Sequence, residues 1–139
     1  MKSHSFQCDK LIRTKAGDCL TSQGAVLKTR VLSAEEIVPY LKKKIEEEAR
    51  EARQAKTSEH MIEELMDAFS AGYALLKALG IDQEAFLQGC KAKDEKEGSY
   101  EGGLCLTHIT LPEGHPKLRH YQNHPEKYTE ISEYDAIKD

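Results

Sequence analysis

Apolar residues recur at the spacing of one helix face over two long stretches of this sequence. In the first stretch this face carries Ile37, Leu41, Ile45, Ala52 and Ala55. Because an α-helix completes one turn in about 3.6 residues, the spacing predicts a helix with one face turned to a core. Ser33 and Glu36 form a capping-box pattern in front of it, and this pattern marks where the helix starts.

The second stretch predicts a helix that is apolar on nearly every side. It begins after Thr57, is apolar almost all round over Leu65–Leu79, and stops at Gly80. A chain of this length cannot cover such a helix by itself, so the pattern predicts contact with a second subunit. A third helix is expected from Gln83 to about Glu97, because a glycine follows there.

The rest of the chain is less regular. Two short segments with β-branched residues, Val26–Leu32 and Leu104–Leu111, predict strands that can pair as a small hairpin. We therefore expect a mainly α protein, an antiparallel helical bundle with at most one β hairpin, completed by assembly into a homodimer or homotetramer. The expected organisation is a helical domain at 1–111 followed by a polar, His- and Tyr-rich C-terminal appendage at 112–139.

Charge and cysteine content argue against several classes of protein. The chain has 20 Lys+Arg against 24 Asp+Glu and no basic stripe, so we do not expect a nucleic-acid polymer as its partner. The longest uncharged apolar stretch is too short to span a bilayer, and no apolar run follows the first residues. We therefore expect neither a membrane protein nor a signal peptide. The four cysteines form no CxxC pair, which predicts reduced thiols and a cytoplasmic protein.

Several carboxylates fall where the helical pattern calls for apolar residues. Glu48 occupies a position of the core-facing series, and Glu51 lies one turn further on at the edge of the same face. On the second long helix, Glu64 and Asp67 lie one turn apart. Asp67 does not lie on the polar side of this helix, which carries Glu63, Ser70 and Lys77. A carboxylate at a core position is costly unless it is paired or bound to a metal. Four such oxygen donors on two antiparallel helices suit Mg²⁺, with Mn²⁺ as the alternative ion.

These acids belong to a longer series of motifs. Their pattern, Glu-x-x-Glu, a 12-residue gap and Glu-x-x-Asp, resembles the metal-binding signature of the all-α nucleoside triphosphate pyrophosphohydrolases. This superfamily includes MazG-like proteins, dimeric dUTPases and phosphoribosyl-ATP pyrophosphohydrolases. The resemblance extends over about residues 8–111, and the segments similar to those of its small members are Lys10-Leu11-Ile12-Arg13, Lys44-Ile45-Glu46-Glu47-Glu48-Ala49-Arg50-Glu51, Glu63-Glu64-Leu65-Met66-Asp67 and Leu79-Gly80-Ile81-Asp82.

The resemblance implies hydrolysis of a nucleoside triphosphate between the α and β phosphates, with release of a monophosphate and pyrophosphate, in nucleotide-pool house-cleaning. It implies that the Mg²⁺ ligands are Glu48, Glu51, Glu64 and Asp67. It also implies that Glu47 and Glu48 are catalytic residues, with Glu47 as a general base or as a metal ligand through a water molecule. The position of Glu47 alone also fits an acidic face turned to solvent. The implied contacts to the substrate phosphates are Lys10, Arg13, Lys93 and Lys96.

Two alternatives stay open at this point. The first is an enzyme of the same fold that acts on phosphoribosyl-ATP in histidine biosynthesis. The second is a non-catalytic helical interaction protein, and the complete set of four acids counts against it, because such a protein has no need for carboxylates at core positions.

The C-terminal appendage carries His115, His120 and His124, and His108 lies shortly before it. Their spacings match no compact metal-binding module, and no cysteine pair accompanies them. We interpret them as surface histidines, with zinc or nickel binding as the alternative.

Overall fold

Helices make up most of residues 2–137, the part of the chain that the computed structural model describes, apart from the side chain of Tyr134. They are α1 (Ala16–Ser22), α2 (Ala34–Gln54), α3 (Ser58–Ala78), α4 (Gln83–Glu97), α5 (Leu118–Gln122) and α6 (Glu133–Ile137). The prediction of a mainly α protein is confirmed. Over the same residues, no helix is both long enough and apolar enough to cross a membrane.

The two long helices, α2 and α3, form a helical hairpin. The Ser33 hydroxyl accepts from the Glu36 backbone N–H at 3.2 Å, and the Glu36 carboxylate accepts from the Ser33 N–H at 2.9 Å, so the predicted capping box is present. The Thr57 hydroxyl caps α3 by accepting from the His60 N–H. Because only residues 55–57 connect the helices, α2 and α3 run antiparallel, and among the described helices α1 to α4 no other pair packs together.

The core of the hairpin follows the helix face that the sequence predicts. The buried apolar residues are Leu41 and Ala52 of α2 and Ala71 of α3, and no others are buried in the part of the chain that is described. Glu48 is buried among them, while Ile37 and Ile45 are half-buried. The hairpin therefore encloses a very small core that includes one carboxylate.

The predicted β hairpin is wrong. Residues 2–137 contain no strand, and both Val26–Leu32 and Leu104–Leu111 are irregular. Val26 and Leu104 are each 99% exposed, so neither segment has the buried face that makes β-branched residues favour a strand. The segment before α2 also contains the short helix α1, which was not predicted from the sequence.

The chain divides into two compact units, Met1–Lys96 and Glu97–Asp139. In the first unit, the Asp82 carboxylate caps α4 by accepting from the Ala85 N–H at 2.9 Å. Every residue of α4 is exposed, and this helix packs on none of α1, α2 and α3. The second unit contains α5 and α6. The boundary predicted between residues 111 and 112 stays a prediction.

Candidate metal centre

Three carboxylates converge where α2 faces α3. Glu48 and Glu51 lie one turn apart on α2, and Glu64 lies on α3 across the hairpin. One oxygen from each of the three lies within 4.8 Å of the oxygens of the other two. Glu48 is only 4% exposed, Glu64 is half-buried and Glu51 is exposed, so the cluster runs from the core of the hairpin to its surface. We call these three residues the acidic cluster.

Two nitrogen-containing side chains, Lys44 and His60, contact the acidic cluster. The Lys44 Nζ lies 2.5 Å from the Glu48 Oε1 and 3.7 Å from the Glu47 Oε2, both within α2. The His60 Nε2 lies 2.8 Å from the Glu64 Oε1, one turn earlier on α3. Among the described residues, Glu51 makes no ion pair. Three carboxylates therefore share one ammonium group and one imidazole, and the cluster stays short of positive charge.

The pKa values of the two α2 carboxylates move in opposite directions. Burial alone raises the pKa of Glu48, but hydrogen bonds from Lys44 and with Glu64, together with the Lys44 charge, outweigh it and hold this pKa below its ordinary value. The pKa of Glu51 is raised by desolvation and by the neighbouring Glu48 and Glu64 carboxylates. Crowded carboxylates with opposed shifts are typical of a functional site.

The acidic cluster fits a small divalent cation. Mg²⁺ binds oxygen at about 2.1 Å, so two oxygens on one ion lie at most about 4.2 Å apart. The three carboxylate oxygens lie within 4.8 Å of one another, slightly more than this 4.2 Å separation, and rotation of the side chains can close the difference. Carboxylate oxygens are the hard donors that Mg²⁺ and Mn²⁺ prefer. The burial of Glu48 distinguishes this cluster from an ordinary solvated acidic surface.

Asp67, the fourth predicted ligand, has a different partner. It lies one turn beyond Glu64 on α3, and its carboxylate accepts from the Arg13 guanidinium, with the Arg13 Nε at 3.0 Å. Arg13 also donates to the Ser70 hydroxyl at 3.2 Å. Asp67, a predicted metal ligand, is thus paired with Arg13, a predicted phosphate contact. This pair lies one helical turn from Glu64 and is not part of the acidic cluster.

The other predicted site residues lie in two places. Lys10 and Glu47 line a cavity of about 20 Å³ together with Tyr40, beside Lys44. Lys93 and Lys96 lie on α4, which does not pack on α2 or α3, so the described chain does not bring them to the acidic cluster.

Two residues of the site were missed in the sequence, Lys44 and His60. Each precedes its carboxylate partner by four residues, a spacing that places both side chains on the same face of a helix. That spacing was a signal available in the sequence.

Comparison of this chain with protein-family models, with curated proteins and with solved structures finds no match. The family resemblance seen in the motifs therefore stays a prediction.

Proposed function

We propose that this protein hydrolyses a nucleoside triphosphate, or a related nucleotide, between the α and β phosphates in a Mg²⁺-dependent reaction. The observation that carries the proposal is the acidic cluster, in which Glu48, Glu51 and Glu64 bring oxygens within 4.8 Å of one another although Glu48 is buried. Burying a carboxylate next to two others lowers stability unless cations offset the repulsion, and the ammonium group of Lys44 supplies only one positive charge for the three carboxylates. Such an arrangement is expected where a cation binds.

The residues of the cluster would hold the metal, and Mg²⁺ supplies charge neutralisation of the phosphates and a bound water of lowered pKa. Glu47, half-buried beside the cluster, is the candidate to accept a proton from the attacking water. Arg13 lies next to the cluster through its bond to Asp67, and its planar guanidinium suits a phosphate oxygen pair. When Arg13 turns to a phosphate, Asp67 becomes available as a fourth ligand.

The same proposal includes a second copy of the chain. The outward face of α3 exposes large apolar side chains, Met61, Ile62, Leu65, Met66 and Phe69, each between 40% and 61% exposed. The hairpin buries too few apolar residues to be stable alone, and a matching face on a second copy would enlarge its core. A second subunit is also the means by which Lys93 and Lys96 of α4 would reach the phosphates. A homodimer is the smallest assembly that would both enlarge the apolar core and bring the α4 lysines to the phosphates, and a homotetramer is the alternative.

The setting that fits this function is the cytoplasm, where nucleotide pools lie. All four cysteines are exposed free thiols, as expected in a reducing compartment. Whether the substrate is a surplus nucleotide or phosphoribosyl-ATP is decided by assay.

The test is release of pyrophosphate from a panel of standard and modified nucleoside triphosphates and phosphoribosyl-ATP, in Mg²⁺ and again in EDTA. We expect release only in Mg²⁺, and a loss of at least about 100-fold in Glu51→Gln, because losing even an outer-shell partner of a metal costs 10–100-fold. Glu46→Gln is the matched control, since Glu46 lies on α2 with its side chain 77% exposed. Absence of release from every nucleotide, or an unchanged rate in Glu51→Gln, would contradict the proposal.

A further inference from the structure

Two histidines of the second unit lie side by side at the C-terminal end of α5. His120 is in the last turn of this helix, and His124 follows its C-cap residue, four positions later. The centroids of the two imidazole rings are 4.7 Å apart, and the ring planes are inclined at 45°. This spacing places both rings on the same side of the helix end.

The hydrogen bond of His124 determines which ring nitrogen is available. Its Nδ1 lies 2.7 Å from the backbone carbonyl oxygen of His120. Because a carbonyl oxygen only accepts, Nδ1 must carry the proton, and the Nε2 of the neutral ring therefore carries the lone pair. Metal-binding histidines are commonly oriented by the same bond from one ring nitrogen to a backbone carbonyl.

Aromatic neighbours hold the His120 ring in place. Tyr121 and Tyr128 have ring centroids 5.6 and 5.7 Å from it, and these two tyrosine rings contact each other at 4.4 Å. The nitrogens of His120 make no hydrogen bond within the described residues. The ring is thus positioned by packing and leaves a nitrogen available to a ligand.

Two imidazole rings that bind one metal ion have a limited range of centroid distances. Imidazole nitrogen binds Zn²⁺ at about 2.1 Å, which puts the ring centroid about 3.2 Å from the ion. Two rings on one ion, at bond angles of about 90–109°, then have centroids about 4.5–5.2 Å apart. The observed 4.7 Å falls in this range.

We infer that His120 and His124 form a binding site for a divalent transition-metal ion such as Zn²⁺, with water as the remaining ligands. This site differs in chemistry from the acidic cluster, because imidazole suits Zn²⁺, Ni²⁺ and Cu²⁺ whereas carboxylates suit Mg²⁺ and Mn²⁺. The ion would cross-link the last turn of α5 to the segment that follows it. The inference does not depend on the proposed nucleotide hydrolysis.

His115 offers a matched control within the same unit. Its Nδ1 accepts from the Lys117 backbone N–H at 3.1 Å. The proton of its neutral ring is therefore on Nε2, the reverse of His124. The His115 Nε2 can bind a metal only if this proton moves to Nδ1, which would break the hydrogen bond from Lys117.

The test is calorimetric titration of the full chain with ZnCl₂ in excess Mg²⁺, after alkylation of the four exposed thiols that would otherwise bind zinc. We expect His120→Gln and His124→Gln each to weaken Zn²⁺ binding at least about tenfold, and His115→Gln to leave it unchanged. Zn²⁺ binding equal to that of the parent in His124→Gln, or equal losses in all three variants, would overturn the inference.

A second measurement requires no variant and so does not depend on how the variants fold. In the parent protein, Zn²⁺ should shift the imidazole proton resonances of His120 and His124 at lower concentration than those of His108 and His115. If the resonances of His108 or His115 respond first, the site is elsewhere and the inference is wrong.

Discussion

Replacing Lys44 with methionine tests whether the acidic cluster is short of positive charge. The substitution removes the ammonium group that lies 2.5 Å from the Glu48 carboxylate and keeps most of the side-chain volume. The Lys44 and Glu48 side chains are 23% and 5% exposed, so water cannot readily replace the lost partner. Glu48 would then have Glu51 and Glu64 as its charged neighbours.

Two limits set the expected loss of stability in Lys44→Met. Removing one partner of a buried ion pair costs about 3–5 kcal/mol. Proton uptake by Glu48 limits this cost, because protonating a carboxyl group of ordinary pKa, about 4.3, at pH 7 costs about 3.7 kcal/mol. We therefore expect the free energy of unfolding at pH 7 to fall by about 3 kcal/mol. The raised pKa in the folded variant means that this loss shrinks as the pH falls towards the ordinary carboxyl value.

Mg²⁺ should restore much of the stability that Lys44→Met loses. An ion that binds only the folded state at 100 times its Kd stabilises by about 2.7 kcal/mol. The variant should gain more from Mg²⁺ than the parent does, because Lys44 no longer competes with the ion for Glu48.

The assay is urea unfolding followed by far-ultraviolet circular dichroism, with and without MgCl₂ at constant ionic strength. Lys42→Met is the matched control, since Lys42 is exposed on the same helix. A loss in Lys44→Met no larger than in the control, or equal effects of Mg²⁺ on variant and parent, would refute the reasoning.

Other predictions concern the helix cap, an exposed ion pair and the subunit interface. Ser33→Ala should lower the free energy of unfolding by about 1 kcal/mol, because Glu36 N–H loses its acceptor, and urea unfolding that shows no change would contradict the cap assignment. The pKa of Glu36 is lowered by the hydrogen bond from the Ser33 N–H and by Arg30. The contribution of Glu36 to stability is therefore present above the ordinary carboxyl pKa and is lost as the pH falls through the lowered value. In Glu36→Gln the free energy of unfolding should therefore fall less steeply at acid pH than in the parent. Phe69→Glu should convert a dimer to a monomer in sedimentation, whereas an unchanged sedimentation coefficient would place the interface elsewhere.

The helices of the hairpin could be predicted because their signals are local. The capping box at Ser33, the cap at Thr57 and the apolar spacing around Leu41 each lie within a few residues of the structure that they specify. The burial of Glu48 followed from the same spacing. The meeting of Glu64 with the α2 carboxylates followed from the antiparallel hairpin, because a short connection places the facing turns of two helices together.

The features that the sequence did not predict depend on distant partners. Arg13 and Asp67 are 54 residues apart in the chain, and nothing in the helical pattern of α3 indicates which segment will bind its Asp67 carboxylate. The strand expected at Val26–Leu32 failed for a related reason. A strand requires a paired neighbour and a buried face, and local β-branched composition supplies neither.

The most direct test of the central claim, that the acidic cluster holds a divalent cation, is anomalous X-ray scattering from crystals grown with Mn²⁺. The account predicts an anomalous difference peak within bonding distance of Glu48, Glu51 and Glu64, absent from crystals of Glu51→Gln grown in the same way. A Mn²⁺ peak located elsewhere, or none at a concentration that supports activity, would contradict it.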